Sequence, residues 1–257
     1  MPKPRAAVFS MTGCEGCSLA VLECENELLD VLQHIEFVEW REAMSEKTND
    51  PIDIAFVDGS VSTHHDVRYI KRIRERAGML VPIGACAVNG GVNALKNRYG
   101  MSEAKEIVYG DAGAQFDTIP ARPVRAVVPV EFEIPGCPMN SEEFLRIVRD
   151  LLLGKKPRLP NYPVCVECKR KENVCVFEKG MFCMGPVARA GCGADCPSSG
   201  GWCEACRGFV DNPNEQAHWE VLQERGLTPE EVMQRFDIFC AWELEERRAR
   251  AQQEKKE

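Results

Sequence analysis

Apolar runs of strand length alternate with segments of helical period along residues 5–153. Arg5–Ser10 (RAAVFS) has the composition of a short buried strand. Ser18–Leu32 carries Leu19, Leu22, Leu28, Leu29 and Leu32 on what is predicted to be one apolar helix face. Ile35–Trp40 and Asp53–Asp58 (DIAFVD) supply a second and a third strand. Ser62 and Thr63 are candidate caps for a helix running to Ala77, along which Val67, Ile70, Ile73 and Arg74 recur at helical spacing. Met79–Ile83 is the fourth strand and Val127–Ile134 the fifth. A further helix is predicted over Ser141–Leu153, capped by Asn140 or Ser141. Short apolar strands separated by helices imply a parallel sheet covered on both faces. The fold class expected is therefore α/β, a flavodoxin-like doubly wound parallel sheet.

From Leu159 the pattern changes. Gly154–Pro160 (GKKPRLP) reads as a linker, and the next fifty or so residues are rich in glycine, proline and cysteine with little period. Such a segment is expected to lack a normal hydrophobic core and to be held by metals. Helical spacing returns after Asn214, through Glu220, Val221 and Leu222 and again over Thr228–Phe239, while Glu243–Glu257 is polar and expected to fray. The division predicted is residues 1–158 for the sheet domain and 159–257 for a loop-rich domain with a helical tail.

The cysteines give this outline its chemistry. Twelve of the fourteen sort into sets of four. Cys14 and Cys17 follow the first predicted strand, Cys86 the fourth and Cys137 the fifth. Ligands in open parallel sheets bind outside the carboxyl ends of the strands, so these four are expected at one rim. The other eight (Cys165, Cys168, Cys175, Cys183, Cys192, Cys196, Cys203 and Cys206) lie in the loop-rich segment. Four thiolates are the ligand count of an iron–sulfur cubane or of structural zinc. Cys24 and Cys240 lie among apolar helix neighbours and are expected as buried core thiols.

Composition narrows the choice. A net charge of −8 argues against nucleic acid as a partner, since phosphate binding needs basic patches. No apolar stretch reaches membrane-spanning length, and the N-terminal residues show neither a signal core nor a twin-arginine motif. A cytoplasmic location is expected, and there thiols are used for metals or catalysis rather than disulfides. Cys165-x2-Cys168 and Cys203-x2-Cys206 each resemble half a zinc ribbon, but their separation is long and the four cysteines between them would have no role. Cys137 and Cys196 each precede proline, a pairing common at cluster ligands, so iron–sulfur is the favoured chemistry. The glycines around Cys86 form no GxGxxG fingerprint. His34, His64, His65 and His218 are read as solvated or polar-face residues, and Arg68, Lys71, Arg72, Arg74 and Arg76 as a solvated basic helix face.

The segments TGCEGC, GACAVNGG, IPGCPMN and CMGP…CGADCP…CEAC, in that order, resemble the small, electron-transferring subunit of nickel–iron hydrogenases. DGSVST, GACAVNGGV and YPVCVEC are similar to the cytoplasmic cofactor-reducing branch, especially the delta subunits of sulfhydrogenases. The resemblance implies three 4Fe–4S clusters: a proximal one on Cys14, Cys17, Cys86 and Cys137, a distal one on Cys165, Cys168, Cys175 and Cys183, and a medial one on Cys192, Cys196, Cys203 and Cys206. How the last eight divide stays open on sequence grounds. The implied partners are a nickel–iron large subunit, a diaphorase subunit using flavin and NAD(P), and a further iron–sulfur subunit, with no membrane insertion. The second domain is then ferredoxin-like in function.

Departures from the periplasmic pattern are informative. Cys165 stands where those enzymes use a histidine, and four medial cysteines replace three. Gly16 and Gly91 stand where oxygen-tolerant relatives add two cysteines, which implies an ordinary cubane. The spacing Cys14-x2-Cys17 differs from the adjacent cysteines of the quinone-reductase subunit of respiratory complex I. An alternative is an iron–sulfur subunit delivering electrons to heterodisulfide reductase or a quinone-type acceptor. Glu15, between two proximal cysteines, is a candidate for proton movement or a plain loop carboxylate.

Overall fold

The computed structural model describes residues 2–254, and the side chains of Asn26, Ala251 and Glu254 are not described. The chain forms two compact units, residues 1–156 and 157–257.

The first unit is built on a four-stranded sheet in the order β2-β1-β3-β4. Its strands are β1 (Arg5–Ser10), β2 (Glu36–Trp40), β3 (Ile52–Asp58) and β4 (Ala77–Ile83), all paired in parallel. Side chains of a strand alternate between the faces, and both faces are apolar here. Ala7 and Phe9 of β1 and Ala55 and Val57 of β3 share a core with Ile70 and Ile73 of helix α3 (His64–Arg76), where Phe9 meets Tyr69 edge-on at 6.0 Å. Phe56, from the opposite face of β3, meets Phe144 of helix α6 (Ser141–Leu152) at 5.1 Å. Helices on both faces of a parallel sheet make the unit doubly wound and flavodoxin-like.

The sequence explains where α3 and α6 begin. The Thr63 hydroxyl accepts from the Asp66 N–H while the Asp66 carboxylate accepts from the Thr63 N–H, a complete capping box. Asn140 caps α6 by accepting from the Glu143 N–H at 2.9 Å.

Several expectations are corrected. The single helix over Ser18–Leu32 is two, α1 (Gly16–Leu22) and α2 (Glu25–His34), broken where Glu25 takes φ +47°. Leu19, Leu29 and Leu32 are exposed, Leu22 and Leu28 are half-buried, and α1 buries Cys17, Ser18, Ala20 and Val21. Val127–Ile134 is not a strand. Pro82 offers no N–H, the Leu80 N–H is taken by the Glu131 carboxylate at 2.7 Å, and only Ile134 bridges β4, at Ile83. Residues 84–115, given no helix from sequence, hold α4 (Gly84–Asn89), α5 (Met101–Tyr109) and 3-10 turns over Gly91–Arg98 and Gly110–Gln115. Arg74 and Arg76 are not solvated; they pair with Glu131 and Glu39, each at 2.7 Å.

The second unit carries α7 (Val164–Arg170), a 3-10 turn over Val176–Lys179, α8 (Asp195–Ser198), α9 (Glu215–Glu224) and α10 (Pro229–Glu254). It has a hydrophobic core of its own, against expectation. Val176, Met184, Val187 and Phe209 from the loops pack with Leu222 of α9 and Val232, Phe236, Cys240 and Leu244 of α10. The downstream helices supply the apolar surface that the loops lack. His218, read as a polar-face residue, is buried in this core between Phe177 and Phe236. Burial pushes its imidazole down to about 4, against a hydrogen bond with the Cys183 backbone that acts the other way. The tail expected to fray continues α10 as far as Glu254, and residues 255–257 lie outside those described.

Phe144 is fully buried against Phe56, so Phe144→Ala is expected to destabilise the first unit by about 3–5 kcal/mol. Leu29→Ala, at an exposed site, should change it little. Urea unfolding midpoints measure both.

Candidate functional site

The parallel strands release their loops at one edge of the sheet. After β1 the chain bridges to the segment after β3: the Met11 N–H donates to the Asp58 carbonyl at 2.8 Å and the Ser60 N–H to the Thr12 carbonyl at 2.8 Å. Asn93 ties the same loop down, donating to the Thr12 carbonyl at 3.0 Å and to Ser60 Oγ at 2.9 Å. Cys14 is exposed on this loop, and Cys17 is buried in the first turn of α1. Glu15, between them, adopts a left-handed conformation and forms an ion pair with Arg41. It is thus a paired loop carboxylate.

Cys86 lies in α4 directly after β4, and Cys137 in the turn bridged by Gly136 and Met139. These two segments are joined, since the Gly84 N–H donates to the Ile134 carbonyl at 2.7 Å and the Ala85 N–H to the Gly136 carbonyl at 2.6 Å. The four thiols form one electrostatically connected set. Burial pushes the Cys86 thiol up to about 12, with Asp58, Cys137 and Cys14 adding to the shift. Burial also raises Cys17 strongly, followed by Asp58 and the neighbouring thiols Cys137 and Cys86. A thiolate here needs a cation beside it to exist at neutral pH.

Glycine makes the room. A Cβ on Gly84, which sits at φ +83°, would collide with Cys17 Sγ, and one on Gly91 would stand 2.9 Å from Cys86 Sγ. Asp58, which sequence reasoning passed over, ends β3 buried behind the set and accepts from the Ser18 N–H at 3.3 Å. Burial raises its carboxyl, with hydrogen bonds from the Ser18, Gly59 and Cys17 backbone opposing. Ser18 in turn joins Trp40 Nε1 at 2.8 Å to Glu42 at 2.9 Å. The one signal for Asp58 was its place as the acidic residue that ends the apolar run Ile54–Val57.

In the second unit the remaining eight cysteines lie along one connected stretch of loops, with Cys183 and Cys203 adjacent. Burial pushes Cys165 up to about 11, followed by Cys183, Cys168 and Cys175. Burial likewise raises Cys196, with Cys192 next, and Cys203, with Cys183, Cys206 and Cys192 as its thiol neighbours. Backbone N–H groups point at the sulfurs: Gly185 and Cys203 donate to Cys183 Sγ and Ala205 to Cys203 Sγ, each at 3.4 Å. Glu167 braces the connecting loop, accepting from the Gly191 N–H at 2.9 Å and the Ala194 N–H at 3.2 Å. Gly185 again leaves space, since a Cβ there would lie 3.2 Å from Cys183 Sγ and 3.3 Å from Cys165 Sγ.

Soft sulfur donors, with glycine beside Cys17, Cys86, Cys165 and Cys183 and N–H groups aimed at Cys183 and Cys203, fit iron–sulfur ligation. Among the described residues no three such donors are drawn in to coordinating geometry. The sets are neighbours rather than closed shells. Cys24 and Cys240 stand apart as buried thiols, at 4% and 0% exposure. Their sulfurs donate to the Ala20 and Ala205 carbonyls.

Comparison with known proteins agrees with this chemistry. Residues 14–151 match the family described as NADH ubiquinone oxidoreductase, 20 Kd subunit. The sulfhydrogenase 2 subunit delta of Pyrococcus furiosus is 38% identical over 93% of this chain and 100% of its own. A subunit of the vhu F420-non-reducing hydrogenase of Methanococcus voltae is 34% identical over 83% of this chain and 85% of its own. A solved NAD+-reducing NiFe hydrogenase in the H2-reduced state aligns with a TM-score of 0.57 and 28% identity, over 62% of this chain and 96% of that one. The chain belongs to the NADH ubiquinone oxidoreductase 20 Kd subunit family, as one of its hydrogenase-type oxidoreductase subunits.

Proposed function

We propose that the chain is the electron-transfer subunit of a soluble, cytoplasmic nickel–iron hydrogenase, relaying electrons between the nickel–iron site of a large subunit and a diaphorase or other reductase subunit. The observation that carries this is the approach of Cys14, Cys17 and Cys86, in the segments after β1 and β4, to Cys137 in the turn that main-chain hydrogen bonds tie to the start of α4. These four would hold a proximal 4Fe–4S cluster. Cys165, Cys168, Cys175 and Cys183 would hold a distal one, and Cys192, Cys196, Cys203 and Cys206 a medial one. The neighbours of Cys165 (Cys183, Cys168 and Cys175) and the pairing of Cys196 with Cys192 support that division, while Cys203 adjoins Cys183 as well as Cys206 and Cys192. When bound, such cubanes supply one-electron chemistry at potentials set by burial and by hydrogen bonds to sulfur.

The residues of the chain do the rest. The raised thiols give up their protons on ligation, and the Gly185, Cys203 and Ala205 N–H groups remain as donors to sulfur. Glu167 and Asn93 hold the ligand loops in place. Apolar packing around Cys183 and Cys203 keeps water away from them.

Anaerobically purified chain is expected to contain about twelve irons and about twelve acid-labile sulfides, the yield of three cubanes. Zinc without labile sulfide would overturn the assignment. Gly84→Ala should lower the iron and sulfide content, because its methyl group meets Cys17 Sγ, whereas Gly100→Ala, with open space around it, should leave both unchanged. Cys14→Ala should abolish hydrogen-linked electron transfer or assembly with the large subunit. A purified Cys14→Ala complex that reduced acceptor at full rate would refute the relay.

A further inference from the structure

Arg235 of α10 touches three residues that flank cysteines of the second unit. Its guanidinium carbon lies over the Phe182 ring and over the Trp202 ring, 5.7 Å from each ring centre. Phe182 directly precedes Cys183, and Trp202 directly precedes Cys203. Arg235 Nη1 pairs with Glu204 Oε1 at 3.5 Å, and Glu204 directly follows Cys203. Trp202 Nε1 donates to the same Oε1, so Arg235, Trp202 and Glu204 form a closed set of contacts. The two loop segments also meet directly. The Cys203 N–H donates to Cys183 Sγ at 3.4 Å, and the Met184 N–H to the Cys203 carbonyl at 2.8 Å. One side chain of a helix thus grips the neighbours of two cysteines that are 20 residues apart.

A part-exposed ion pair of this length adds little to stability by itself. The carboxylate is the more telling partner. Glu204 Oε2 is buried and has no hydrogen-bond partner, and among the described residues Arg235 is the one cation paired with Glu204. Without Arg235 a buried negative charge would stand uncompensated between Cys203 and Cys206. Arginine suits the position better than lysine, because a planar guanidinium can lie over aromatic rings and still offer an N–H to a carboxylate. Residues outside a ligand set orient the ligands, and charge near an iron–sulfur cluster shifts its potential. We infer that Arg235 is a positioning residue for the relay: it holds the Cys183 and Cys203 segments through Phe182 and Trp202, and balances the Glu204 charge beside the cluster on Cys203. The inference rests on the proposed relay function, and places part of its tuning on a helix outside the ligand sets. An uncompensated Glu204 would make that cluster harder to reduce, and an uncompensated Arg235 would make it easier.

The test uses the anaerobically purified complex containing this chain, titrated potentiometrically and followed by electron paramagnetic resonance. Arg235→Gln should move one cluster midpoint to lower potential, by about tenfold or more in its one-electron equilibrium. Glu204→Gln should move the same midpoint upward, and Arg235→Gln/Glu204→Gln should return it toward wild type. Arg235→Lys keeps the charge but loses the overlay on both rings. Its midpoint should stay near wild type, while the spin coupling between neighbouring clusters changes with their spacing. Retained iron and labile sulfide show that a variant has folded; where Arg235→Gln loses them, Glu204→Gln and Arg235→Lys carry the test. Midpoints unmoved in both charge variants, shifts of both in one direction, or wild-type spin coupling in Arg235→Lys would each overturn the inference. A wild-type complex that shows no 4Fe–4S signals would sink the relay reading instead. Wild-type signals with unmoved variants would sink the Arg235 assignment alone.

Discussion

Parallel pairing of β1, β3 and β4 is the constraint from which the first unit follows. Because the strands run the same way, the loops after β1, β3 and β4 must all emerge at one edge. Cys14, Cys17 and Cys86 come to one edge for that reason, and Cys137 is brought to it by the hydrogen bonds from Gly84 and Ala85 to the Ile134 and Gly136 carbonyls. An antiparallel arrangement of the same segments would send alternate loops to opposite edges and scatter the thiols. The unusual backbone requirements at the rim follow from the same crowding. Gly84 and Gly91 are held at positive φ with sulfur where a Cβ would be.

The second unit solves a different problem. Its cysteine loops have few apolar residues of their own, yet Met184, Val187 and Phe209 are buried because α9 and α10 close over them. Cys240 lies on the face of α10 that enters this core and contacts the Ala205 carbonyl, next to the Cys203–Cys206 segment. The helix thus reaches the loops through a thiol that is itself no part of a ligand set. Buried His218 contributes in the same way, as a neutral aromatic between two phenylalanines.

Much of the first unit was legible because its signals are local. The apolar runs of β1, β3 and β4 and the Thr63–Asp66 capping box need no tertiary information. The thiol positions were legible for the same reason, since each follows a strand or its equivalent. What escaped depends on distant partners. The break before α2 rests on a left-handed Glu25 that nothing in ENELLD announces. Val127–Ile134 has strand composition, but its hydrogen-bonding partner is a strand interrupted by Pro82. Asp58 looks like a polar strand end until the α1 backbone is seen to bind it. The apolar stripe of α10 is too diluted by charge to predict a core, and only the loops packed on it reveal one.

The irregular path of residues 127–134 beside β4 also affects how the sheet edge behaves. An edge strand with free N–H and C=O groups is a template for strands of other molecules, and so a starting point for aggregation. On β4 that template is spoiled three times over. Pro82 has no donor, Glu131 occupies the Leu80 N–H, and the Ile134 N–H takes the Pro82 carbonyl. The sheet therefore cannot grow on that side by adding a copy of itself.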